Sequence, residues 1–224
     1  DGGKLNQVTN ADIVKLVEIE GQELLLYRHV PVDACLIRGT YADEYGNISF
    51  EQEAAPFDAT SLAQACKASG GTLDPRLVKI PGIYVDAVVV STSEDHEQSI
   101  GTYYDPAVSG ETCMHIEKLS DAELNSKKII ARRAAFELKP GAVVNLGIGA
   151  PEYIAKVAVE EKIDEDIALT IESGIVGGIA LSGNQFGAAH NPEAILGQDA
   201  QFDFYDGGGI DLAFLGLAEA DPVS

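Results

Sequence analysis

The segment from Ala142 to Gly174 constrains the fold of this 224-residue chain more than any other. Two apolar, strand-like runs, Ala142–Leu146 and Ile167–Ile171, lie on either side of a segment with helical spacing. This order is typical of a βαβ unit, in which a crossover helix joins two parallel strands. The sequence therefore predicts an α/β protein with a parallel sheet in this region.

Two motifs follow the two predicted strands directly. The first strand is followed by Gly147, Ile148 and Gly149, and the second strand is followed by Glu172. The carboxyl ends of parallel strands lie at one edge of the sheet, which is where open α/β sheets bind ligands. We therefore expect the glycine-rich turn and the carboxylate to face one crevice.

Glu172 is the candidate nucleophile. Burying a carboxylate at the end of an apolar strand costs several kcal/mol unless the charge is paired or functionally required. A glutamate with the ordinary pKa of about 4 is ionised at neutral pH, so it needs no activating base to attack an acyl group. The alternative is a solvated surface carboxylate, because the chain has 36 acidic residues.

Two glycine-rich segments are candidate ligand-binding turns. In the Gly147–Gly149 turn, exposed N–H groups would stabilise an oxyanion or hold a phosphate, whereas the alternative is a tight turn without a ligand. Glu152 stands where a dinucleotide-binding GxGxxG motif needs its third glycine, so that motif is not matched. Gly207 and Gly208 precede an apolar run and also permit close backbone approach, with a flexible connector as the alternative.

Composition excludes several classes of partner. The formal net charge of −21 predicts repulsion from nucleic acid and from anionic membranes. No apolar run approaches the 18 residues of a membrane span. Three cysteines without a CxxC pair and four scattered histidines predict neither a metal site nor a disulfide framework. We therefore expect a cytoplasmic protein without a metal, a nucleic-acid partner or a membrane partner.

Short elements are predicted along the rest of the chain. A polar segment from residue 94 to 126 is interpreted as the boundary between a domain of residues 1–120 and a domain of residues 121–224. An internal echo aligns Asp33–Asp43 with Asp211–Asp221 at three identical positions of eleven, which indicates related domains unless it is coincidence. The predicted elements are a hairpin at Lys15–Arg28, strands at Asp33–Gly39, Ile48–Phe50, Ile83–Val90 and Ile210–Gly216, helices at Ala59–Ala68, Lys127–Leu138 and Pro192–Leu196, and a loop at Gly174–Gly187.

Six sequence motifs of this chain are similar to motifs of one enzyme family. In chain order they span nearly the whole sequence, and the order is that of the family. The chain resembles the family I coenzyme A transferases, specifically the acetate/propionate CoA-transferase group. The motifs are GGKLN (2–6), GTYADEYGNI (39–48), LDPRLVKIPGIYVD (73–86), VVNLGIGAPEY (143–153), TIESGIVGG (170–178) and QFDFYDGGGIDLAFLGLAEAD (201–221).

The resemblance implies a fold and a set of site residues. The fold is α/β, with two similar open α/β domains of the CoA-transferase type, each incomplete in this chain. We therefore expect the 224 residues to be parts of a longer polypeptide. Glu172 occupies the position of the family's catalytic glutamate, and Gly147, Ile148 and Gly149 match the turn that lines the acyl-CoA site.

The resemblance also implies a reaction. Coenzyme A is transferred between a short-chain acyl-CoA and a carboxylate such as acetate, propionate or lactate, by a ping-pong mechanism through a glutamyl-CoA thioester. CoA thioesters are then substrates, no cofactor is permanently bound, and the protein is expected to be a homo-oligomer. Two alternatives remain: a non-catalytic domain that senses acyl-CoA or sugar phosphates without needing Glu172, and an acyl-CoA hydrolase that passes the adduct to water.

Overall fold

The structure is a computed structural model that describes residues 13–64, 72–115 and 123–217. The chain separates into two compact units, residues 1–36 and residues 37–224. The predicted division into two related domains at residue 120 stays a prediction. In the described ranges, no helix has the length and apolar composition needed to cross a bilayer.

The first unit contains the predicted hairpin. Strands β1 (Val14–Ile19) and β2 (Gln22–Tyr27) pair antiparallel. Both turn residues have positive φ, +52° at Glu20 and +81° at Gly21, as a two-residue type I′ turn requires. The hairpin prediction is confirmed, and the turn lies at the predicted Glu-Gly pair.

The second unit opens with a small antiparallel sheet. Ile48, Ala63 and Ile80 form its buried cluster, which joins the sheet to a short helix. The helix prediction is confirmed for residues 59–64, and residues 65–68 of that prediction lie outside the described residues. The elements are β3 (Tyr41–Ala42), β4 (Ile48–Ser49), α1 (Ala59–Gln64) and β5 (Val78–Ile80), in the sheet order β3-β4-β5.

Asp43 organises the turn between β3 and β4. Partial burial acts to raise the pKa of Asp43, but the hydrogen bonds to its carboxylate, that from Thr72 first, outweigh burial and hold the pKa well below its usual range. The donors are the N–H groups of Thr72, of Leu73 at 2.7 Å, of Asn47 at 2.9 Å and of Tyr45 at 3.0 Å, and the side-chain amide of Asn47 at 2.8 Å.

The lowered pKa of Asp43 predicts a pH-dependent contribution to stability. A depressed carboxyl pKa stabilises the fold above the unfolded-state pKa near 4, and this stabilisation is lost as the pH falls toward the folded-state value. Asp43→Asn is therefore expected to lower the urea midpoint at pH 7, and the difference from wild type is expected to shrink below about pH 4. Asp203→Asn, at an exposed aspartate, is the control. An equal difference at pH 7 and pH 3 would contradict the prediction.

The main sheet contains the predicted βαβ unit. Its order is β11-β8-β7-β6-β12, in which β6 pairs parallel with β7 and with β12, while β8 and β11 are antiparallel to their neighbours. The strands β9 and β10, which lie between β8 and β11 in the sequence, form a separate antiparallel pair. The elements are α2 (Ser126–Ala135), β6 (Val143–Leu146), α3 (Glu152–Glu161), β7 (Ala168–Ile171), β8 (Ile175–Val176), β9 (Ile179–Ala180), β10 (Ala189–His190), β11 (Ala194–Ile195), α4 (Gln198–Phe204) and β12 (Leu212–Phe214).

The apolar face of α3 forms the centre of the core. Ile154 and Val157 on the helix belong to the same buried cluster as Val144 and Leu146 on β6 and Ile171 on β7. These residues recur at helical spacing on α3 and at alternate positions on β6, so burial holds the βαβ unit together. The position of the turn that follows β6 is therefore set by the core.

The helix before this unit is confirmed. The prediction placed it at Lys127–Leu138, and α2 covers Ser126–Ala135. The Asn125 side chain accepts a hydrogen bond from the N–H of Lys128 at 3.0 Å, which caps the helix. The following Pro140 and Gly141 are compatible with the end of the helix before them.

Two predicted strands are absent from the described residues. Residues 33–39 and 83–90 carry strand-like apolar patterns, yet neither forms a strand, and residues 82–84 form a 3-10 turn. Leu36 is fully exposed, and Val89 and Val90 are each 90% exposed. A strand needs a neighbour to pair its backbone, and no described strand pairs with either run. The internal echo consequently aligns a non-strand segment with β12.

Three further predictions are corrected in part. Residues 192–196 were expected to form a helix, but Ala194–Ile195 is β11, which pairs with β8. Pairing at the sheet edge outweighs the weak preference of five residues for a helix. The Gly174–Gly187 loop contains β8, β9 and a 3-10 turn. The predicted strand at Ile210–Gly216 is present as the shorter β12, which is only partly buried.

Candidate active site

Glu172 lies at the carboxyl end of β7. It is the first residue of the tight turn into β8, closed by the hydrogen bond from the Gly174 N–H to the Ile171 carbonyl at 3.0 Å. The residue is partly buried. Among the described residues, none donates a hydrogen bond to its carboxylate or forms an ion pair with it. The carboxylate is therefore available to react.

The turn that carries Glu172 is held rigidly. The Ser173 hydroxyl donates to the Gly187 carbonyl at 2.6 Å. Gly174 has φ +106° and accepts a hydrogen bond from the Leu196 N–H at 2.8 Å. A Cβ at Gly174 would overlap the Leu196 carbonyl oxygen, so only glycine fits there. The backbone on the carboxyl side of Glu172 is therefore fixed.

The glycine-rich turn stands next to Glu172. The register of β6 with β7 pairs Asn145 with Thr170. Gly147 and Glu172 each lie two residues beyond this pair, so they directly follow the ends of neighbouring strands. Neighbouring strands lie about 5 Å apart. The structure thus brings together the two motifs that the sequence places at one edge.

Two of the three N–H groups of the Gly147–Gly149 turn are not exposed to a ligand, contrary to the expectation. The Gly147 N–H donates to the Phe214 carbonyl at 2.9 Å, and the Gly149 N–H donates to Oε1 of Glu152 at 2.8 Å. Both glycine donors are therefore engaged internally. Ile148 is 62% exposed, and its N–H has no acceptor in the described part of the chain. An oxyanion at this turn would bind to the N–H of Ile148.

Gly207 and Gly208 lie at the other edge of the sheet. They end α4 in a wide turn that precedes β12, and Gly208 has φ +87°. Asp211, just beyond them, is hydrogen-bonded through its backbone N–H and its carboxylate to Val143 at the start of β6. Because β12 is parallel to β6, these glycines are at the amino edge, opposite Glu172. The structure does not bring them into the crevice, and their predicted role in CoA binding stays a prediction.

Two residues that the sequence reasoning did not assign lie beside the crevice. Glu152, 5% exposed, accepts hydrogen bonds from the N–H groups of Gly149 and Gly183. Phe57 has φ +49°, and its ring lies next to Gly187. Glu152 could have been identified from the sequence, because it is an acidic residue in the first turn of a helix that follows a glycine-rich turn, and helix N-termini favour negative charge. No local signal identifies Phe57.

Two lysines lie near the start of α3. Lys127 Nζ is 5.6 Å and Lys156 Nζ 5.7 Å from the centroid of the Tyr153 ring. Ammonium groups at these distances interact favourably with the ring face. This positive charge therefore lies beside the first turn of α3, the helix that follows the glycine-rich turn.

A second polar cluster surrounds Glu53, whose carboxylate is buried. Arg38 Nη2 donates to Oε2 of Glu53 at 2.7 Å, and His96 Nε2 lies 2.9 Å from Oε1. The buried charge is thus paired, as burial requires. Within the described ranges, no group of three or more His, Cys, Asp or Glu side chains is arranged to hold a metal ion.

Comparison with known proteins identifies the family. The coenzyme A transferase family profile matches residues 4–91. The caffeate CoA-transferase of Acetobacterium woodii is 44% identical over 99% of this chain and 45% of that protein. The acetate CoA-transferase YdiF of Escherichia coli O157:H7 is 41% identical over 98% of this chain and 44% of that protein.

A solved structure agrees with the sequence comparison. The crystal structure of the E. coli O157:H7 acyl-CoA transferase YdiF, as a thioester complex with CoA, has a TM-score of 0.81 at 37% identity, over 95% of this chain and 43% of that chain. The chain thus spans less than half the length of these relatives. The α/β fold of the CoA-transferase type is confirmed, and the chain belongs to the coenzyme A transferase family.

Proposed function

We propose that the full-length protein transfers coenzyme A between an acyl-CoA and a short-chain carboxylate, with Glu172 as the nucleophile. The observation that carries this proposal is the position of Glu172. Its carboxylate has no partner among the described residues. Glu172 directly follows β7 at the sheet edge, two residues beyond Thr170, which pairs with Asn145 of β6. The relatives named as acetate and caffeate CoA-transferases support the same reaction class.

The first half-reaction forms a covalent intermediate. The Glu172 carboxylate attacks the thioester carbonyl, and the C–S bond breaks to give an acyl-glutamyl anhydride and CoA thiolate. The thiolate then attacks the glutamyl carbonyl of the anhydride. This step releases the first carboxylate and leaves a glutamyl-CoA thioester on the enzyme.

The second half-reaction runs these steps in reverse with a new carboxylate. The acceptor attacks the glutamyl-CoA carbonyl, and CoA thiolate leaves to give a second anhydride. The thiolate then attacks the acyl carbonyl of the acceptor, which regenerates the Glu172 carboxylate and yields the new acyl-CoA. Neither half-reaction consumes a proton or an electron overall, so Glu172 needs no acid–base partner.

Each tetrahedral intermediate carries an oxyanion that needs a donor. The N–H of Ile148 is the donor in the glycine-rich turn that has no internal acceptor among the described residues. One donor of this kind is typically worth about 3 kcal/mol of transition-state stabilisation. The N-terminus of α3 follows directly and adds favourable potential for negative charge.

Local positive charge supports binding of the polyanionic CoA. The chain carries a net charge of −21, which repels phosphates at long range. Lys127 on α2 and Lys156 on α3, which both lie against the Tyr153 ring, oppose this repulsion beside the first turn of α3. Exposed apolar area on Ile148 is compatible with an acyl chain or the pantetheine arm. We propose acetate, propionate or lactate as the acceptor class.

Intact-mass spectrometry of the full-length protein with propionyl-CoA, and without acceptor, tests the proposal. A mass increase that matches covalently bound CoA is the expected result. Binding without an adduct would favour the sensing domain. Steady release of free CoA and propionate without acceptor would favour a hydrolase, whereas transfer to added acetate distinguishes the transferase.

A further inference from the structure

We propose that Glu152 is a positioning residue for the reaction of Glu172. Its buried carboxylate holds the glycine-rich turn and the loop of residues 181–188 in place on either side of the nucleophile. The inference rests on the proposed function, because it assigns a role within the same site.

The burial of Glu152 requires a compensating interaction. The residue is 5% exposed and is the first residue of α3. Its Oε1 accepts from the Gly149 N–H at 2.8 Å, and its Oε2 accepts from the Gly183 N–H at 3.3 Å. Each oxygen thus satisfies a backbone donor from a different segment, and the helix N-terminus also stabilises the charge. The carboxylate is a bridge between two backbone segments.

One end of this bridge is the loop of residues 181–188. A hydrogen bond from the Leu181 N–H to the Ala188 carbonyl, at 2.9 Å, closes the loop. Gly183 near its start is bound to Glu152, and Gly187 near its end accepts from the Ser173 hydroxyl at 2.6 Å. The same loop is therefore fixed by Glu152 and by the residue that follows Glu172.

The other end of the bridge is the turn beside Glu172. Gly149 has φ +93°, which an L-residue rarely adopts, and its N–H is held by Glu152. This bond fixes the backbone one residue after the N–H of Ile148, the donor proposed for the oxyanion. Loss of the Glu152 carboxylate removes both hydrogen bonds and releases the turn and the loop together, so one side chain sets both sides of the crevice.

Glu152→Gln tests the inference in the full-length protein. The amide has one acceptor oxygen, and its NH₂ group cannot accept from the second N–H. We expect the rate of glutamyl-CoA formation in a single turnover to fall on the order of 10- to 100-fold, with KM for acyl-CoA changed less than threefold. Glu161→Gln is the matched control, because Glu161 ends the same helix and forms an exposed ion pair with Arg132.

Hydrogen exchange gives a readout that does not depend on chemistry. In Glu152→Gln, amide exchange is expected to accelerate in residues 147–150 and 181–188, and not elsewhere on α3. Unchanged exchange in both segments, or a wild-type adduct rate in the folded variant, would overturn the inference. If Glu152→Gln does not fold, the same two measurements on Glu152→Asp decide it, since a shorter carboxylate cannot reach both N–H groups.

The proposed function and this inference fail in different ways. Absence of an adduct in the wild-type protein refutes the role of Glu172 and leaves the exchange measurement to decide whether Glu152 holds the two segments. A normal wild-type adduct with an unchanged Glu152→Gln rate refutes the positioning role alone. A rise in KM without a change in the adduct rate also refutes it, because Glu152 would then serve substrate binding.

Discussion

Glu172→Gln is expected to lower the rate of CoA transfer in the full-length protein by on the order of 10⁴-fold or more, as removal of a nucleophile does in other covalent enzymes. The amide is nearly isosteric with the carboxylate but is not a nucleophile, so the first covalent step is lost. The fold should be unaffected, because Glu172 has no hydrogen bond or ion pair to any described side chain. The measurements are initial rates of transfer from propionyl-CoA to acetate and intact mass after incubation with propionyl-CoA.

Glu165→Gln is the matched control for this substitution. Glu165 is exposed in the turn before β7, so it lies at the opposite end of the strand that carries Glu172. The control is expected to keep wild-type transfer and to form the covalent adduct. Transfer by Glu172→Gln at more than a tenth of the wild-type rate, with an adduct still present, would assign the nucleophile to another residue.

Gly174→Ala is expected to reduce the free energy of unfolding by about 3 kcal/mol or more, through backbone strain and overpacking together. The φ of +106° at Gly174 lies outside the range that alanine adopts readily. The added Cβ would overlap the carbonyl oxygen of Leu196, whose own N–H is bonded to the Gly174 carbonyl at 2.8 Å. Because both atoms are backbone on paired segments, neither can move without breaking the edge of the sheet.

Urea unfolding measures this effect, and Gly141→Ala separates its two causes. Gly141 has φ +80°, yet a Cβ there would have no atom within 4 Å, so that variant carries the backbone strain without the overlap. Its cost is expected to be about 1 kcal/mol. Equal destabilisation by the two substitutions would show that the Leu196 contact does not matter. The Gly174 variant should also lose transfer activity, since its turn carries Glu172.

Local pattern was sufficient for elements whose partners are close in sequence. The Glu20–Gly21 pair predicted its hairpin, because glycine at the second turn position readily takes the positive φ that a two-residue turn requires. The βαβ unit followed from two apolar runs and the helical segment between them. The same reasoning failed for residues 83–90, because β-branched composition cannot supply the neighbouring strand that a strand requires.

In the candidate site, too, some features followed from the sequence and others only from the tertiary structure. The sequence by itself determined that Glu172 and the Gly147–Gly149 turn follow neighbouring parallel strands, since chain order and strand direction decide which residues share a sheet edge. Only the tertiary structure decided that Gly207 and Gly208 lie at the other edge. It also decided that Glu152 occupies the Gly149 N–H. Hydrogen-bond partners that are distant in sequence depend on how the whole chain packs, so no local pattern specifies them.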